Sequence, residues 1–439
     1  MPYHSEPEQF VAWLRAVAPY IHAFRGRTMV VGFAGELVVS GRLNALVQDL
    51  SLLHAMGMRL VLVFGSRPQI DEQMTLRGVT SRYHAGIRIT DTVALECAKE
   101  AVGETRLDIE AAFSQGLPNT PMAHATVRVV SGNFVTARPV GIVDGVDFEH
   151  TGLVRKVDVQ SVRLALNSGA LVLLPPLGFS PTGEAFNLAM EDVACATAVA
   201  LDADKLIFVT ENGGVVDRDG RLLTEITEGE ARTVLEAGYL TPDAADYLRY
   251  ALKACDGGVA RAHIVPLSMD GSVLLELFLH DGVGSMVVEE TLEALREATL
   301  DDVGGILAII RPLEQDGTLV KRDRSLIERE APNFTVIEHD GVIFGCAALY
   351  AFPEDGIGEL ACLAVNPNVQ GQGDGERLLR RIEQRARAAG LQRLFVLTTR
   401  TAHWFLKRGF TVGTVDDLPG ARKNLYNWQR KSQVLLKSL

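Results

Sequence analysis

Five short apolar runs recur along the first 210 residues: Thr28 to Phe33, Arg59 to Phe64, Ala125 to Val130, Ala170 to Leu174 and Lys205 to Thr210. Segments of helical period separate them, among them Asn44 to Met56 and Asp192 to Leu201. Runs this short and this rich in β-branched residues read as buried strands. Their alternation with helices leaves one economical architecture, an open, mostly parallel sheet with helices on both faces. The turn signals Asn212-Gly213-Gly214 and Asp217 to Gly220 predict antiparallel strands added in the second half. Ahead of the first strand, Ser5 and Glu8 form a capping box, and Phe10, Leu14, Val17 and Ile21 recur at helical spacing. A helix over residues 5–24 is expected, its stripe widened by Val11 and Trp13 and kinked at Pro19. Such a helix packs on its own domain or on a neighbouring subunit.

At 439 residues the chain exceeds what one core supports. The seam falls near Glu289 to Thr299, a charged stretch that reads as helical, giving domains over 1–290 and 299–439 with a linker over 291–298. Beyond it, Val303, Ile306, Leu307 and Ile310 mark a helix, and Phe334 to His339 and Val342 to Tyr350 form a hairpin about Asp340-Gly341. Leu360 to Val365 is a further strand. It runs through Gln370-Gly371-Gln372-Gly373-Asp374-Gly375 into a helix carrying Leu378 and Leu379. A strand, a glycine loop and a helix N-terminus place several unpaired N–H groups at one spot, which suits a phosphate. No lysine follows as in a Walker loop, and the spacing is not that of a dinucleotide fingerprint.

A formal net charge of −12 argues against nucleic acid as a partner. No apolar run reaches membrane-spanning length and the N-terminus lacks a secretory pattern, so a cytoplasmic protein is expected. The five scattered cysteines lack any C-x-x-C spacing and read as reduced thiols, with no metal site implied.

Two resemblances sharpen this reading. Gln370, Gly373 and Gly375 fill the Q/R-x-x-G-x-G/A pattern by which the Gcn5-related acetyltransferase superfamily holds the pyrophosphate of acetyl-CoA, and the element order from about Leu300 is similar to that fold. The first domain resembles the acetylglutamate kinases of the amino-acid kinase family. Its matches are Val61 to Ile70, Gly86 to Asp91, Gly152 to Asp158 and Asp204 to Thr210. It departs from them where their chemistry resides. Gly32 stands where the first-strand lysine falls, Gly65-Ser66-Arg67 replaces a run of glycines, and Met190-Glu191-Asp192 keeps the acid of an Asn-Ala-Asp motif but not its amide. Arg261 and Ala262 occupy the region of a second lysine. Phosphoryl transfer depends on fixed positive charge and positioned donors, so the domain is expected to be inert as a kinase. Asp192 and Lys205 then read as structural remnants or surface charges.

The two domains in this order resemble the bacterial N-acetylglutamate synthase family, which implies acetyl transfer from acetyl-CoA to L-glutamate and feedback by L-arginine. Acetyl-CoA is a co-substrate and no further cofactor is implied. A homo-oligomer, a hexamer first, is expected from the family. Glu359 is the candidate base, acting directly or through water, or else an exposed strand-end carboxylate. Backbone N–H groups among Cys362, Leu363, Ala364 and Val365 would take the thioester oxygen. Thr398 donates a proton, orders a water, or is a core threonine. Gln370, Gly371, Gly373 and Gly375 would hold the pyrophosphate, and Arg322, Arg430 and Ser432 the two carboxylates. In the arginine-sensitive kinases the N-terminal helix and the last strand and loop form the effector site. That carries over to Tyr20, Glu276, Gly282 and Gly284. Glu276 interrupts an apolar run read as a strand, so it needs a cationic partner, from a ligand or from within. The rivals are a bifunctional kinase and acetyltransferase, a sensor without turnover, and transfer to another amine.

Overall fold

The computed structural model describes residues 6–116, 122–279, 282–288, 294–339, 342–367, 373–424, 426–428, 430 and 432–439. The chain divides into two compact units, Met1–Thr291 and Leu292–Leu439. Ser5, Gln370, Gly371, Asp281 and the Asp340-Gly341 turn lie outside the described residues.

The first unit is built on an eight-stranded sheet. From edge to edge the strands are Glu225–Thr227, Ser285–Val288, Arg261–Pro266, Lys205–Thr210, Thr28–Phe33, Arg59–Phe64, Ala170–Leu174 and Arg128–Ser131. The four central pairings are parallel. Ala170–Leu174 and Lys205–Thr210 are buried at every residue, as strands covered on both faces must be. Antiparallel pairing enters the second half between Arg261–Pro266 and Ser285–Val288. The turn signals around residues 212–220 produce only an isolated bridge, Val216 to Leu222.

The N-terminal helix, Glu6–Phe24, runs through Pro19 as one element. Its C-terminal half folds back on its own domain: Val17, Tyr20 and Phe24 are buried, and Tyr20 and Phe24 pack on Phe278. Phe10, Trp13 and Leu14 in the N-terminal half are exposed by 62%, 55% and 47%.

The second unit is a seven-stranded sheet in the order Ala294–Glu297, Phe334–His339, Val342–Phe352, Ile357–Val365, Arg393–Thr398, Gln433–Ser438, Thr411–Gly413. The helical reading of the seam is overturned here. Ala294–Glu297 is an edge strand paired antiparallel to Phe334–His339. Arg296 fixes it there by reaching both Glu338 and Asp302. A four-residue charged stretch carries too little period to separate helix from strand, and tertiary ion pairs decide.

One pairing in this sheet is parallel, and it is short. Ile357, Gly358 and Glu359 pair with Arg393, Leu394 and Phe395, and there the ladder stops. Val396 to Thr398 continue against the C-terminal strand, so Leu360 to Val365 diverge from their neighbour and the sheet splays. On the other side, Ala347 faces two residues, since Cys346 pairs with Ala364 and Ala348 with Ala361. This is a β-bulge, and Cys362 sits in it at φ 52°.

Candidate functional site

The splay and the bulge make the centre of the second unit. A bulge leaves its extra residue out of the ladder and turns the strand. A non-glycine residue at positive φ costs on the order of 1 kcal/mol, so the surrounding fold holds Cys362 there. The backbone of Cys362 and Leu363 is thereby released from regular pairing at the mouth of the gap. Burial pushes the Cys362 thiol up to about 11, although Arg322 pulls the other way. A neutral thiol is a poor nucleophile, which disfavours an acetyl-cysteine intermediate.

Below the gap, Asp374–Ala388 forms the helix expected after the glycine loop. Leu378, Leu379, Ile382 and Ala386 are buried along one face. Gly373 takes the N-cap position at φ 97°, a conformation that a side chain would strain. Gly375 lies against the Trp404 indole; a Cβ there would come within 3.2 Å of it. Trp404 therefore packs over the helix start and stacks on Arg408 at 3.8 Å.

Glu359 closes the short parallel ladder and is buried, not exposed. Nor is it set among apolar neighbours alone. Its two oxygens accept from Arg422 Nε and Nη2 at 2.8 and 2.9 Å. Arg422 stands on the short helix Gly420–Lys423, and nothing in the linear sequence marks it as a partner. Thr398 ends its strand nearly buried, its hydroxyl 2.8 Å from that of Thr401 and accepting from the Thr401 N–H.

The cationic candidates converge. Burial opposes the charge on Arg322, but Cys362, Tyr350 and Glu359 outweigh it and hold the guanidinium above its usual range. Arg430 is shifted down, first by burial and then by the like charge of Arg322. Its Nη2 donates to the Gly317 and Thr318 carbonyls, while its Nε is buried without a hydrogen-bond partner. Two guanidiniums that repel each other, one with an orphaned N–H, form a place for an anion. Ser432 is half-buried and its carbonyl accepts from the Tyr426 hydroxyl at 2.6 Å. Tyr350, whose hydroxyl donates to Glu330 at 2.6 Å, also belongs to this cluster. A tyrosine on a core strand carried no signal of that.

The second predicted site lies in the first unit. The run read as an apolar strand is a helix, Ser272–Phe278, and Glu276 is buried on it. Burial of Val273, Glu276 and Leu277 follows helical spacing, which a run of five apolar residues masks. Among the described residues, Glu276 is hydrogen-bonded by a histidine and two backbone N–H groups. His263 Nδ1 lies 2.8 Å from Oε1, and the Val283 and Gly284 N–H groups donate to Oε2 at 2.7 and 3.0 Å. Lys205 Nζ lies 3.4 Å from His263 Nε2, so a buried chain runs from Lys205 through His263 to Glu276. Asp192 and Lys205 are both buried, which overturns their reading as surface charges. Asp192 accepts from the Val154 N–H and from Lys253. Gly282 and Gly284 are required by shape, because a Cβ would strike the Glu276 carboxylate or the Ile264 carbonyl.

A Cβ at Gly32 would stand 2.7 Å from Met190 Sδ and 3.1 Å from the Phe208 ring. All five cysteines are free and buried. Among the described residues no cluster of three potential metal ligands occurs, and no helix is long and apolar enough to cross a membrane.

Comparison with known proteins places both units. The Amino acid kinase family matches residues 27–266, and the Acetyltransferase (GNAT) family matches residues 305–410. An amino-acid acetyltransferase of Ralstonia nicotianae is 65% identical over 439 residues, covering 100% of this chain and 97% of the relative. One from Azotobacter vinelandii is 51% identical, covering 98% and 99%. A crystal structure of N-acetylglutamate synthase from Neisseria gonorrhoeae complexed with coenzyme A and L-arginine superposes with a TM-score of 0.87 at 40% identity, covering 98% of this chain and 99% of that one. The same enzyme complexed with coenzyme A and N-acetyl-glutamate superposes with a TM-score of 0.62. The chain is therefore an acyltransferase and belongs to the amino-acid acetyltransferase family.

Proposed function

We propose that this acetyltransferase moves the acetyl group of acetyl-CoA to the α-amine of L-glutamate and that L-arginine, bound in the kinase-like unit, inhibits it. The observation that carries the acceptor is the Arg322 and Arg430 pair, with the Arg430 Nε unpartnered. Glutamate brings two carboxylates, and like-charged guanidiniums held close together are relieved by that kind of ligand.

The reaction runs within one ternary complex. The α-ammonium loses a proton to Glu359, relayed by a water because Arg422 already occupies both carboxylate oxygens. The amine attacks the thioester carbon and a C–N bond forms. The oxyanion takes backbone N–H groups at the bulge, in the stretch from Cys362 to Val365. The C–S bond then breaks, and the CoA thiolate takes the second proton of the attacking nitrogen. That proton is relayed through the Thr398 hydroxyl, which accepts it as it donates its own, or through a water it orders; the first proton leaves Glu359 for solvent. Gln370, Gly371, Gly373 and Gly375 hold the pyrophosphate at the helix start.

L-Arginine suits the chain of Lys205, His263 and Glu276, where the guanidinium meets Glu276 beside the Tyr20 ring and the carboxylate lies toward Lys205. The exposed apolar half of the N-terminal helix supports assembly into a homo-oligomer, a hexamer first. The cytoplasm is the compartment that free buried cysteines fit.

Steady-state kinetics of Arg430→Ala test the acceptor. The KM for glutamate rises on the order of 10- to 100-fold, the worth of a charge-assisted pair. The KM for acetyl-CoA stays as in the parent. An unchanged glutamate KM would contradict the assignment.

A further inference from the structure

Tyr350 lies directly opposite Glu359 in the antiparallel pairing of Val342–Phe352 with Ile357–Val365. Residues opposite each other in such a pair project from the same face of the sheet, so the phenol stands beside Glu359. Its hydroxyl donates at 2.6 Å to Glu330, a carboxylate on the helix Arg324–Glu330. Burial, and after it the bond to Glu330, hold the phenol above its usual range, so it stays a neutral donor. The same hydroxyl accepts from the Arg322 guanidinium. One tyrosine oxygen therefore stands between an anion and a cation.

Arg322 is surrounded by carboxylates that are engaged elsewhere. Burial moves the Cys362 thiol most; after it come Arg322, Glu359, Glu314 and Glu330, so all four charged groups lie around one thiol. Glu359 is held by Arg422, Glu314 accepts from the Arg322 backbone N–H at 2.8 Å, and Glu330 accepts from Tyr350. Among the described residues no carboxylate forms an ion pair with the Arg322 guanidinium, whose Nη1 donates to the Val320 carbonyl at 3.1 Å. A half-buried guanidinium beside a half-buried carboxylate would ordinarily close into a direct pair. The Tyr350 hydroxyl prevents that by satisfying Glu330 and standing between the two charges.

We propose that Tyr350 is a positioning residue for the acceptor: its hydroxyl holds Glu330 off Arg322 and so keeps that guanidinium open to a substrate carboxylate. This rests on Arg322 as an acceptor contact. An internal pair formed before the substrate arrives competes with it, and the apparent affinity falls in proportion to the fraction of chains left open. With the tyrosine in place, three glutamates line a site for an anion without closing it.

Steady-state kinetics of the full chain with L-glutamate and acetyl-CoA test it, on Tyr350→Phe and on Tyr350→Phe combined with Glu330→Gln. Tyr350→Phe keeps the ring, and with it the packing of the core strand, and lets Glu330 close on Arg322. Its KM for glutamate is expected to rise about tenfold or more, with the KM for acetyl-CoA within about threefold of the parent. Adding Glu330→Gln removes the competing charge and should return the glutamate KM to within about threefold of the parent. A merely structural hydroxyl predicts no such rescue, because losing its partner as well cannot restore the packing. The inference is overturned if Tyr350→Phe leaves the glutamate KM unchanged, or if the double variant is no better than Tyr350→Phe. A parent that releases no CoA with glutamate overturns the acceptor reading and this inference together, whereas parental turnover with an unchanged KM in Tyr350→Phe overturns this inference alone.

Discussion

Glu359 and Arg422, 63 residues apart, meet in a bidentate pair with contacts of 2.8 and 2.9 Å at the point where the parallel ladder ends. The carboxylate is buried and the guanidinium about three-quarters so, at 24% exposed. The pair fixes the orientation of Glu359 and keeps its charge compensated before any substrate arrives.

Removing the guanidinium leaves a buried carboxylate alone. Arg422→Ala is expected to lower stability by about 3 kcal/mol and to lower kcat, since the pair that orients the carboxylate is lost. Arg422→Lys restores part of both. Glu359→Gln should lower kcat on the order of 10²- to 10⁴-fold at every pH. Profiles for the three variants check this. A kcat that stays as in the parent in Glu359→Gln contradicts a role for Glu359 in proton transfer.

The arginine response should follow the Glu276 carboxylate. Glu276→Gln keeps the side-chain shape and removes the charge, and the arginine concentration for half-inhibition is expected to rise on the order of 10- to 100-fold. Gly282→Ala should do the same by a different route, because its methyl would displace that carboxylate. Dose–response curves on the two variants provide the check.

His263 is pushed down to about 4, chiefly by burial and then by Lys205, while its contact with Glu276 opposes the shift and Arg261 adds to it. A histidine depressed in the fold binds its proton later than the unfolded chain does, so its contribution is complete above about 6.5 and is lost as pH falls toward 4. Glu276, also held low in the fold although burial opposes it, adds a loss of the same sign further down. The kinase-like unit is expected to lose roughly 3 kcal/mol over that window. His263→Gln flattens it. Melting temperatures at intervals between pH 7 and 4 read the effect.

Restoring the missing lysine should not restore a kinase. Gly32→Lys must place a side chain against Met190 and Phe208, and overpacking of that kind costs about 1–3 kcal/mol before the buried charge is counted. A lower melting temperature with no ADP formed from ATP is the expected outcome.

Much of the architecture was legible because periodicity is local. The strands Thr28–Phe33, Arg59–Phe64, Ala170–Leu174 and Lys205–Thr210 have the bounds their apolar runs predict. The helix Asp374–Ala388 begins where the glycine loop said it would. Ser272–Phe278 was misread because a short apolar run satisfies strand and helix alike, and only the burial of Val273, Glu276 and Leu277 separates them. Ala294–Glu297 failed for the opposite reason: its edge pairing is set by Arg296 reaching Glu338, 42 residues on. Site residues show the same divide. Glu359 was named from its place ahead of the core strand and Arg322 and Arg430 from the family pattern, whereas Arg422, Tyr350 and the Lys205 to His263 chain exist only as tertiary contacts.

The central claim, acetyl transfer to glutamate under arginine control, is tested most directly by CoA release from acetyl-CoA with L-glutamate as acceptor, with and without L-arginine. Turnover on glutamate that arginine suppresses is the predicted result. Acetyl-CoA binding with no CoA released for glutamate would contradict it.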